Sequence, residues 1–181
     1  MKELSLNILD ITENSTKAGA KNVSIIITET KETLQFSVSD DGCGMMPDFV
    51  ESVTNPFTTT RTTRKVGLGI PLLKLAAEQT GGNMSITSKH VSLHPDDHGT
   101  TTTALFYKNH LDFTPLGDII STITTLIQGH GDVDFLFEHA TEDREVKLDT
   151  RELRAVLGDV GLDSFEVICW IKDYLSEQYS V

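Results

Sequence analysis

The sequence predicts an α+β fold, because helical and strand patterns are mixed along the chain. Three observations support this class. An amphipathic helical pattern opens the chain, a β-branched run with an alternating partner follows it, and a second pair of strand patterns flanks a polar loop near residue 95.

The first predicted element is an amphipathic helix. Leu4, Ile8 and Ile11 recur at i, i+4 and i+7, which places their side chains on one helical face. We expect the helix over residues 2–18, because Gly19 ends the pattern.

Four strands are predicted next. Residues 23–28 are rich in β-branched side chains, and residues 33–39 alternate apolar with polar side chains, so the two segments are expected to pair. Residues 84–89 and 101–107 also predict strands, and the loop over 90–99 between them is polar.

The rest of the chain mixes irregular and periodic segments. Residues 47–69 show no long period beyond a short turn over 49–53, whereas residues 71–79 predict a helix with a proline in its first turn. Beyond residue 115 the pattern predicts helices 116–127, 151–157 and 165–175 and a hairpin of strands 133–139 and 145–148. In the helix over 165–175, we expect Trp170 to belong to the core.

Charge and composition exclude several function classes. The chain holds 15 basic and 27 acidic residues, a net charge of −12, which disfavours binding to nucleic acid or anionic lipid. No apolar run approaches the roughly 20 residues that span a bilayer, and the N-terminus lacks the apolar core of a signal peptide. We therefore expect a cytoplasmic protein that binds neither membrane nor nucleic acid.

The charge also divides the chain near Asp112. Ten basic and twelve acidic residues leave residues 1–110 close to neutral, at −2, whereas five basic and fifteen acidic residues give residues 111–181 a charge of −10. We predict an N-terminal domain over 1–110 that can accept an anionic ligand. An acidic appendage over 111–181 would face water or a basic partner.

Asp10, Asn14 and Lys17 share one stripe of the first helix, since they are spaced i, i+4 and i+7. A carboxylate, an amide and an ammonium group in a row can bind a ligand. They can equally form a solvated helix face with an Asp-to-Lys charge pattern. The stripe alone leaves both interpretations open.

Two glycine-bearing segments accompany this stripe. Residues 40–44, Asp-Asp-Gly-Cys-Gly, follow a strand, and their glycines allow close approach of a backbone, although a plain Asp/Gly turn has the same composition. Gly67 and Gly69 open a helix, whose N-terminal N–H groups and dipole suit phosphate. The second segment is neither a P-loop nor a dinucleotide-binding fingerprint, because the further residues of those motifs are absent.

In this order the motifs resemble those of the GHKL ATP-binding superfamily, whose members include DNA gyrase, the ninety-kilodalton heat-shock chaperone, histidine kinases and the MutL mismatch-repair proteins. The resemblance covers residues 3–107 and implies a Bergerat fold. Such a fold has a mixed, largely antiparallel sheet with helices on one face, and it holds ATP between helices and a lid. The segments that carry the resemblance are Glu13-Asn14-Ser15-Thr16-Lys17-Ala18-Gly19-Ala20, Ser39-Asp40-Asp41-Gly42-Cys43-Gly44-Met45, Asn55-Pro56-Phe57, Gly67-Leu68-Gly69-Ile70 and Gly99-Thr100-Thr101.

The resemblance implies a role for individual side chains. Asn14 would bind Mg²⁺ through its amide oxygen, a hard donor that suits this ion, and Lys17 would face the phosphates. Asp40 would accept a hydrogen bond from the adenine amine, and Thr100 would bond to adenine directly or through water. Cys43 would pack near adenine.

Glycines and cations complete the implied site. Gly42 and Gly44 would let the backbone approach the base, and Gly67 and Gly69 would bring N–H groups to the phosphates. Residues 56–66 would form a mobile lid that orders over the triphosphate. Its cations that would meet the triphosphate are Arg61, Arg64 and Lys65.

Two departures from the family pattern bear on the activity. Lys65 stands where the second glycine box often has a further glycine, so the resemblance does not determine the geometry of the lid. Asp10 stands where the ATPases and anti-sigma kinases of the superfamily commonly have a catalytic Glu. It has the charge to polarise a water or hydroxyl, but it is one methylene shorter. We predict that Asp10 is the general base; the alternative is that it only supports Asn14 or the metal's waters.

Two function classes follow. In the first, the chain is an enzyme that hydrolyses ATP or phosphorylates a protein partner, as a kinase or anti-sigma-like regulator does. In the second, it is a non-catalytic, nucleotide-gated module that regulates a partner protein. A complete sensor kinase is not expected, because no helix with a phosphoacceptor His precedes the ATP-binding helix in this sequence. The overall resemblance also suggests a partner associated with hydrogenases, and length and charge disfavour mismatch repair.

Overall fold

The structure is a computed structural model that describes residues 2–54 and 68–181 of the chain. Within these ranges the chain forms six helices and six strands. In chain order they are α1 (Leu4–Lys17), β1 (Asn22–Glu29), β2 (Thr33–Asp40), α2 (Pro47–Val53), α3 (Gly69–Gln79), β3 (Asn83–Lys89), β4 (Gly99–Tyr107), α4 (Ile119–Gly129), β5 (Asp134–Ala140), β6 (Glu145–Asp149), α5 (Thr150–Leu157) and α6 (Phe165–Ser180).

The strands form one mixed sheet in the order β3-β4-β2-β1-β5-β6. Neighbouring strands are antiparallel except β1 and β5, which run parallel. The mixed, largely antiparallel sheet and its helices confirm the predicted α+β class.

One face of the sheet carries the core. Along β1 and β2, buried apolar residues alternate with more exposed ones, as the period of a strand requires. Phe36 of β2 stacks on Phe106 of β4, with 6.1 Å between the ring centroids. Each fully buried side chain of this size contributes roughly 1.5–3 kcal/mol by leaving water, so the shared face stabilises the strand pairing. The buried residues of β1 and β2 are Val23, Ile25, Ile27, Leu34, Phe36 and Val38.

Helices pack on the sheet and on one another. α1 contacts β2, α3 contacts β3 and β4, and α6 contacts β6, while α4 packs against both α1 and α6. The predicted apolar stripe of α1, formed by Leu4, Ile8 and Ile11, is buried in this core. The start of α1 is therefore held firmly, which fixes the position of the polar stripe on its other side.

Residues 111–181 extend the same sheet. β5 lies beside β1 in the register Val23↔Phe135, and the N–H of Asp134 donates to the carbonyl of Lys21 at 2.8 Å. The Glu3 carboxylate accepts a hydrogen bond from the N–H of Asp118 at 3.1 Å, at the entry to α4. The division of the chain into domains at residue 110 stays a prediction.

Several sequence predictions differ from the structure. The turn expected over 49–53 is the helix α2, α3 begins two residues earlier than predicted, and α6 continues to Ser180. The prediction that Trp170 belongs to the core is wrong, because 50% of its surface is exposed. The reason is helical geometry: the buried stripe of α6 is Val167, Ile171 and Leu175, and Trp170 is turned about 100° away from it.

The whole predicted lid, residues 56–66, lies outside the described residues. So do the segment Asn55-Pro56-Phe57 and the predicted site residues Arg61, Arg64, Lys65 and Gly67. Among the described helices, none is both long and apolar enough to cross a membrane.

Candidate functional site

A cavity of about 350 Å³ opens between α1, the end of β2, the start of β4 and the start of α3. Its volume falls in the range of roughly 300–1,000 Å³ that is typical of small-molecule sites. The lining residues are Ile11, Asn14, Ser15, Lys17, Ala18, Asp40, Cys43, Gly44, Met45, Phe49, Val53, Ile70, Thr100 and Thr102. The sequence analysis predicted six of these as site residues or as near adenine: Asn14, Lys17, Asp40, Cys43, Gly44 and Thr100.

Asp40 is held in place at the floor of this cavity. Its Oδ1 accepts hydrogen bonds from the N–H groups of Gly42 at 2.9 Å and Thr100 at 3.3 Å, and its Oδ2 accepts from the Ser15 hydroxyl at 2.6 Å. A carboxylate offers about four acceptor positions, so these three bonds leave one position for a donor on a ligand. The geometry suits the recognition of an amine.

The neighbouring Asp41 has a different task. Its carboxylate accepts from the N–H groups of Lys21 at 2.7 Å and Asn22 at 2.9 Å and from the Asn22 side chain at 2.9 Å. Burial alone would raise the pKa of Asp41, but these hydrogen bonds hold it below its usual value. Asp41 fixes the start of β1 and does not line the cavity.

Thr100 is positioned by a residue that the sequence analysis missed. The hydroxyl of Ser88, which stands opposite Thr100 in the β3–β4 register, lies 2.8 Å from the Thr100 hydroxyl. Ser88 also accepts from the N–H of Met45 at 2.7 Å. Ser88 therefore ties the first glycine-bearing loop to β4, and the cross-strand pairing was the signal that could have revealed it.

Two glycines of the first loop are required by close backbone approaches. Gly44 has φ +71°, and a Cβ at this position would overlap the carbonyl of Lys89. A Cβ at Gly42 would stand 2.9 Å from the Cβ of Ala18. The loop is thus pressed against the end of α1 and the end of β3, where a larger side chain has no room. That these glycines admit an adenine base stays a prediction.

Two of the three polar residues of the α1 stripe line the cavity, and Asp10 does not. Asn14 and Lys17 line it and are exposed. Asp10 lies one turn before Asn14, and its Oδ2 is 3.5 Å from the point where a Cβ on Gly69 would stand. The Asp10 carboxylate is therefore beside the first residue of α3.

No side-chain cap from its N-cap residue closes the N-terminus of α3. Leu68 occupies its N-cap position and offers no side-chain cap. First-turn N–H groups have no partner within a helix, and the helix dipole gives them a partial positive charge. Ile70, in the same turn, lines the cavity. Gly69 is the first residue of α3 and is not among the residues that line the cavity, whereas Gly67 lies outside the described residues. That these glycines bring N–H groups to phosphate stays a prediction.

The lining residues that the sequence analysis did not assign to the site are apolar side chains, Ser15 and Thr102. Met45, Phe49, Val53 and Ile11 are among the apolar ones, and together they offer an apolar surface suited to a planar ring. Ser15 lies on α1 between the two predicted ligands, and its bond to Asp40 was not visible from spacing alone.

Two histidines of the 90–98 loop contact nearby protein groups at hydrogen-bond distance. Nδ1 of His90 lies 2.7 Å from the hydroxyl of Ser92, and Nδ1 of His98 lies 2.6 Å from the carbonyl of Gly42. In residues 2–54 and 68–181, no group of three or more His, Cys, Asp or Glu side chains is arranged to hold a metal. That Asn14 binds Mg²⁺ stays a prediction.

The fold and the cavity define an α+β domain with a ligand site between its sheet and two helices. Comparison with known proteins makes the class specific: the family model described as "Histidine kinase-, DNA gyrase B-, and HSP90-like ATPase" matches residues 1–110. The chain belongs to this family, which is the GHKL superfamily that its motifs resemble, and the family supports nucleotide binding.

Individual relatives and solved structures are similar to different shares of the chain. The DNA mismatch repair protein MutL of Clostridium perfringens is 41% identical over 54 residues, which are 30% of this chain and 8% of that protein. The ATPase domain of Aquifex aeolicus MutL, solved with ADP, has a TM-score of 0.54 at 16% identity, over 86% of this chain and 69% of that one. The N-terminal domain of a DNA repair protein has a TM-score of 0.54 at 17% identity, over 90% of this chain and 59% of that one. At these identities the two structures show the fold alone.

Proposed function

We propose that the chain binds Mg·ATP in this cavity and uses it as an enzyme, either hydrolysing ATP or phosphorylating a protein partner. Asp40 would accept from the adenine amine, with Ser15, Gly42 and Thr100 fixing its orientation. Met45 and Phe49 would pack on the base. ATP would supply the γ-phosphoryl group.

The phosphates would lie toward α3. The uncapped N-terminus of α3 offers N–H donors, and Lys17 offers a positive charge at the cavity wall. Asn14 would bind Mg²⁺ through its amide oxygen, and the remaining metal ligands would come from phosphate oxygens and water. The lid residues Arg61, Arg64 and Lys65 are proposed to close over the triphosphate.

The position of Asp10 is the observation that carries the enzymatic proposal. Its carboxylate does not line the cavity but stands beside Gly69, the residue before the lining residue Ile70, on the side where the phosphates are proposed to lie. There Asp10 would accept the proton of a water or a partner's hydroxyl as its oxygen attacks the γ-phosphorus, and ADP would leave with the electrons of the broken P–O bond.

The alternative is a nucleotide-gated module without turnover. It is supported by the contact between the nucleotide helix and the C-terminal segment. His130 at the end of α4 lies 2.9 Å from the carboxylate of Glu13 on α1. Movement of α1 on nucleotide binding would reach residues 111–181 through this pair. The pairing also directs Glu13 toward α4, which makes Asp10 the carboxylate better placed for catalysis.

The experiment that separates these functions follows the γ-phosphate. The full chain is incubated with Mg²⁺ and γ-labelled ATP, with and without cell lysate. Free labelled phosphate indicates hydrolysis, label on a protein indicates a kinase, and tight binding with intact ATP indicates the gated module. The absence of any ATP binding would refute all three. We also propose that the protein is cytoplasmic. We propose further that its partner is associated with hydrogenases.

A further inference from the structure

We propose that the exposed side of α6 is a docking surface for an arginine-bearing basic segment of a protein partner. The surface, called here the α6 aromatic face, consists of Trp170, Tyr174, Glu166, Asp173 and Glu177. It is separate from the nucleotide cavity, whose lining residues all precede residue 111. The inference therefore goes beyond the function proposed above.

Two aromatic rings form the centre of this face. Trp170 and Tyr174, one helical turn apart, stack with 4.9 Å between their centroids and 12° between their planes. They are 50% and 36% exposed, although aromatic side chains of this size gain much from leaving water. Exposed Trp and Tyr are the residues enriched at the energetic centres of protein interfaces.

Carboxylates surround the rings. Glu166 lies four residues before Trp170, Asp173 three after it, and Glu177 three after Tyr174, spacings that place each acid next to an aromatic side chain on the helix surface. None of the three forms an ion pair with a described residue. The face therefore presents negative charge that the described part of this chain does not neutralise.

The basic residues of the C-terminal segment are occupied elsewhere. Lys147, Arg151 and Arg154 pair with acids of β5 and β6, and Arg144 donates to the C-terminal carbonyl of Val181 at 2.9 Å. Lys172 is the basic residue left on α6. Three of the fifteen acidic residues of 111–181 therefore lie beside the exposed aromatic rings, and no ion pair with a described residue neutralises them.

Arginine is the side chain that matches both features. Its planar guanidinium stacks on aromatic rings and donates two parallel hydrogen bonds to a carboxylate, whereas Lys is a point charge on a flexible stem. Nucleic acid and anionic lipid would be repelled by the same carboxylates. The occupant is therefore a basic protein segment with at least one Arg.

The helix that bears this face is anchored. The Gln178 amide accepts from the N–H of Lys147 at 2.9 Å and donates to its carbonyl at 3.1 Å, which covers the outer edge of β6. The Tyr179 hydroxyl lies 2.8 Å from Nδ1 of His139 on β5. A fixed helix needs no ordering of its backbone on binding, which lowers the cost of association.

The test uses labelled hexa-arginine and hexa-lysine peptides titrated with the full chain and followed by fluorescence anisotropy. Trp170 is the one tryptophan of the chain, so its own emission reports contact at this face. We expect the arginine peptide to bind about threefold to fivefold more tightly than the lysine peptide, as an exposed cation–π contact provides. We also expect it to change the Trp170 emission.

Matched variants distinguish binding at this face from non-specific attraction to an acidic protein. Tyr174→Ala removes one of the two stacked rings and keeps the tryptophan, and it should lower the preference for arginine. The triple variant Glu166→Gln, Asp173→Asn, Glu177→Gln should weaken binding about tenfold. The control triple variant, with the same change in net charge at exposed residues elsewhere, should stay within about twofold; it consists of Glu32→Gln, Asp96→Asn and Asp143→Asn.

Each other outcome overturns the proposal. Equal affinity for both peptides, with equal losses in the two triple variants, would mean non-specific attraction. Sedimentation that shows a dimer in the wild type and a monomer in Tyr174→Ala would assign the face to a second copy of this chain. Absence of binding to either peptide, with circular dichroism showing a folded protein, would leave the face without the stated partner.

Discussion

Replacement of Asp40 by Asn tests the recognition of the base. In the structure Oδ1 accepts from two backbone N–H groups, those of Gly42 and Thr100, while Oδ2 accepts from the Ser15 hydroxyl. The oxygen of an Asn amide would keep the two backbone bonds, so its NH₂ group would take the place of Oδ2. A donor would then face the adenine amine, which is also a donor.

The expected loss follows from that mismatch. A hydrogen bond to a charged acceptor contributes about 1.5–3 kcal/mol, and its loss corresponds to a decrease in ATP affinity of about 10-fold to 150-fold. The cost to folding should be small by comparison, because the Ser15 oxygen can accept from the new NH₂ group. Asp40→Asn should therefore remain folded and bind ATP weakly.

Calorimetric titration with Mg·ATP measures the effect, and Asp41→Asn is the matched control. This neighbouring substitution removes the same charge, but Asp41 bonds to Lys21 and Asn22 and does not line the cavity. It should lower thermal stability and leave ATP affinity within about twofold. Equal affinities for wild type and Asp40→Asn, or equal losses in both variants, would refute the adenine assignment.

Three further predictions concern the loop, the metal and the pH dependence. Gly44→Ala should lower the free energy of unfolding by about 1–3 kcal/mol, measured in urea, because φ is +71° and the new Cβ would overlap the Lys89 carbonyl; unchanged stability would contradict the described loop. Asn14→Ala should weaken ATP binding in Mg²⁺ much more than in EDTA; equal losses would indicate a damaged helix. Burial lowers the pKa of His139 below its usual 6.5 despite the opposing Glu29 contact, so the folded state favours neutral imidazole. The stability that the neutral imidazole contributes is complete above its unfolded pKa of 6.5 and is lost as the pH falls from there through the lower pKa of the folded state. Urea unfolding should therefore give lower stability at pH 5.5 than at 7.5, a difference that His139→Gln should reduce and that would be absent if His139 were already charged.

Local patterns predicted the elements of this protein because their signals are short-range. The stripe Leu4, Ile8 and Ile11 and the alternation in β2 each depend on the period of one element, and the structure buries both. The motif resemblance predicted the fold class and the family. The parallel pairing of β5 with β1 could not be predicted, because it joins segments more than 100 residues apart and leaves no local pattern.

In the candidate site too, local spacing predicted some features, whereas others depend on contacts between distant segments. Spacing placed Asn14 and Lys17 on one stripe, and the structure brings them together with Asp40 and Thr100 around one cavity. The contribution of Ser88 depends on strand register, and the different tasks of Asp40 and Asp41 depend on which carboxylate turns toward the cavity. Trp170 was assigned to the core by hydrophobicity alone, whereas the phase of the α6 stripe decides its exposure.

The most direct test of the proposed enzyme is the separation of binding from turnover in Asp10→Asn. The substitution keeps size and polarity and removes the proton acceptor beside Gly69. A general base contributes about 10²–10⁴-fold in rate, so ATP turnover or phosphotransfer should collapse by that factor while ATP affinity stays within a few-fold. Asp96→Asn, on an exposed loop outside the cavity lining, is the control and should leave the rate unchanged. Substantial wild-type turnover that survives Asp10→Asn would contradict the assignment of Asp10 as the base.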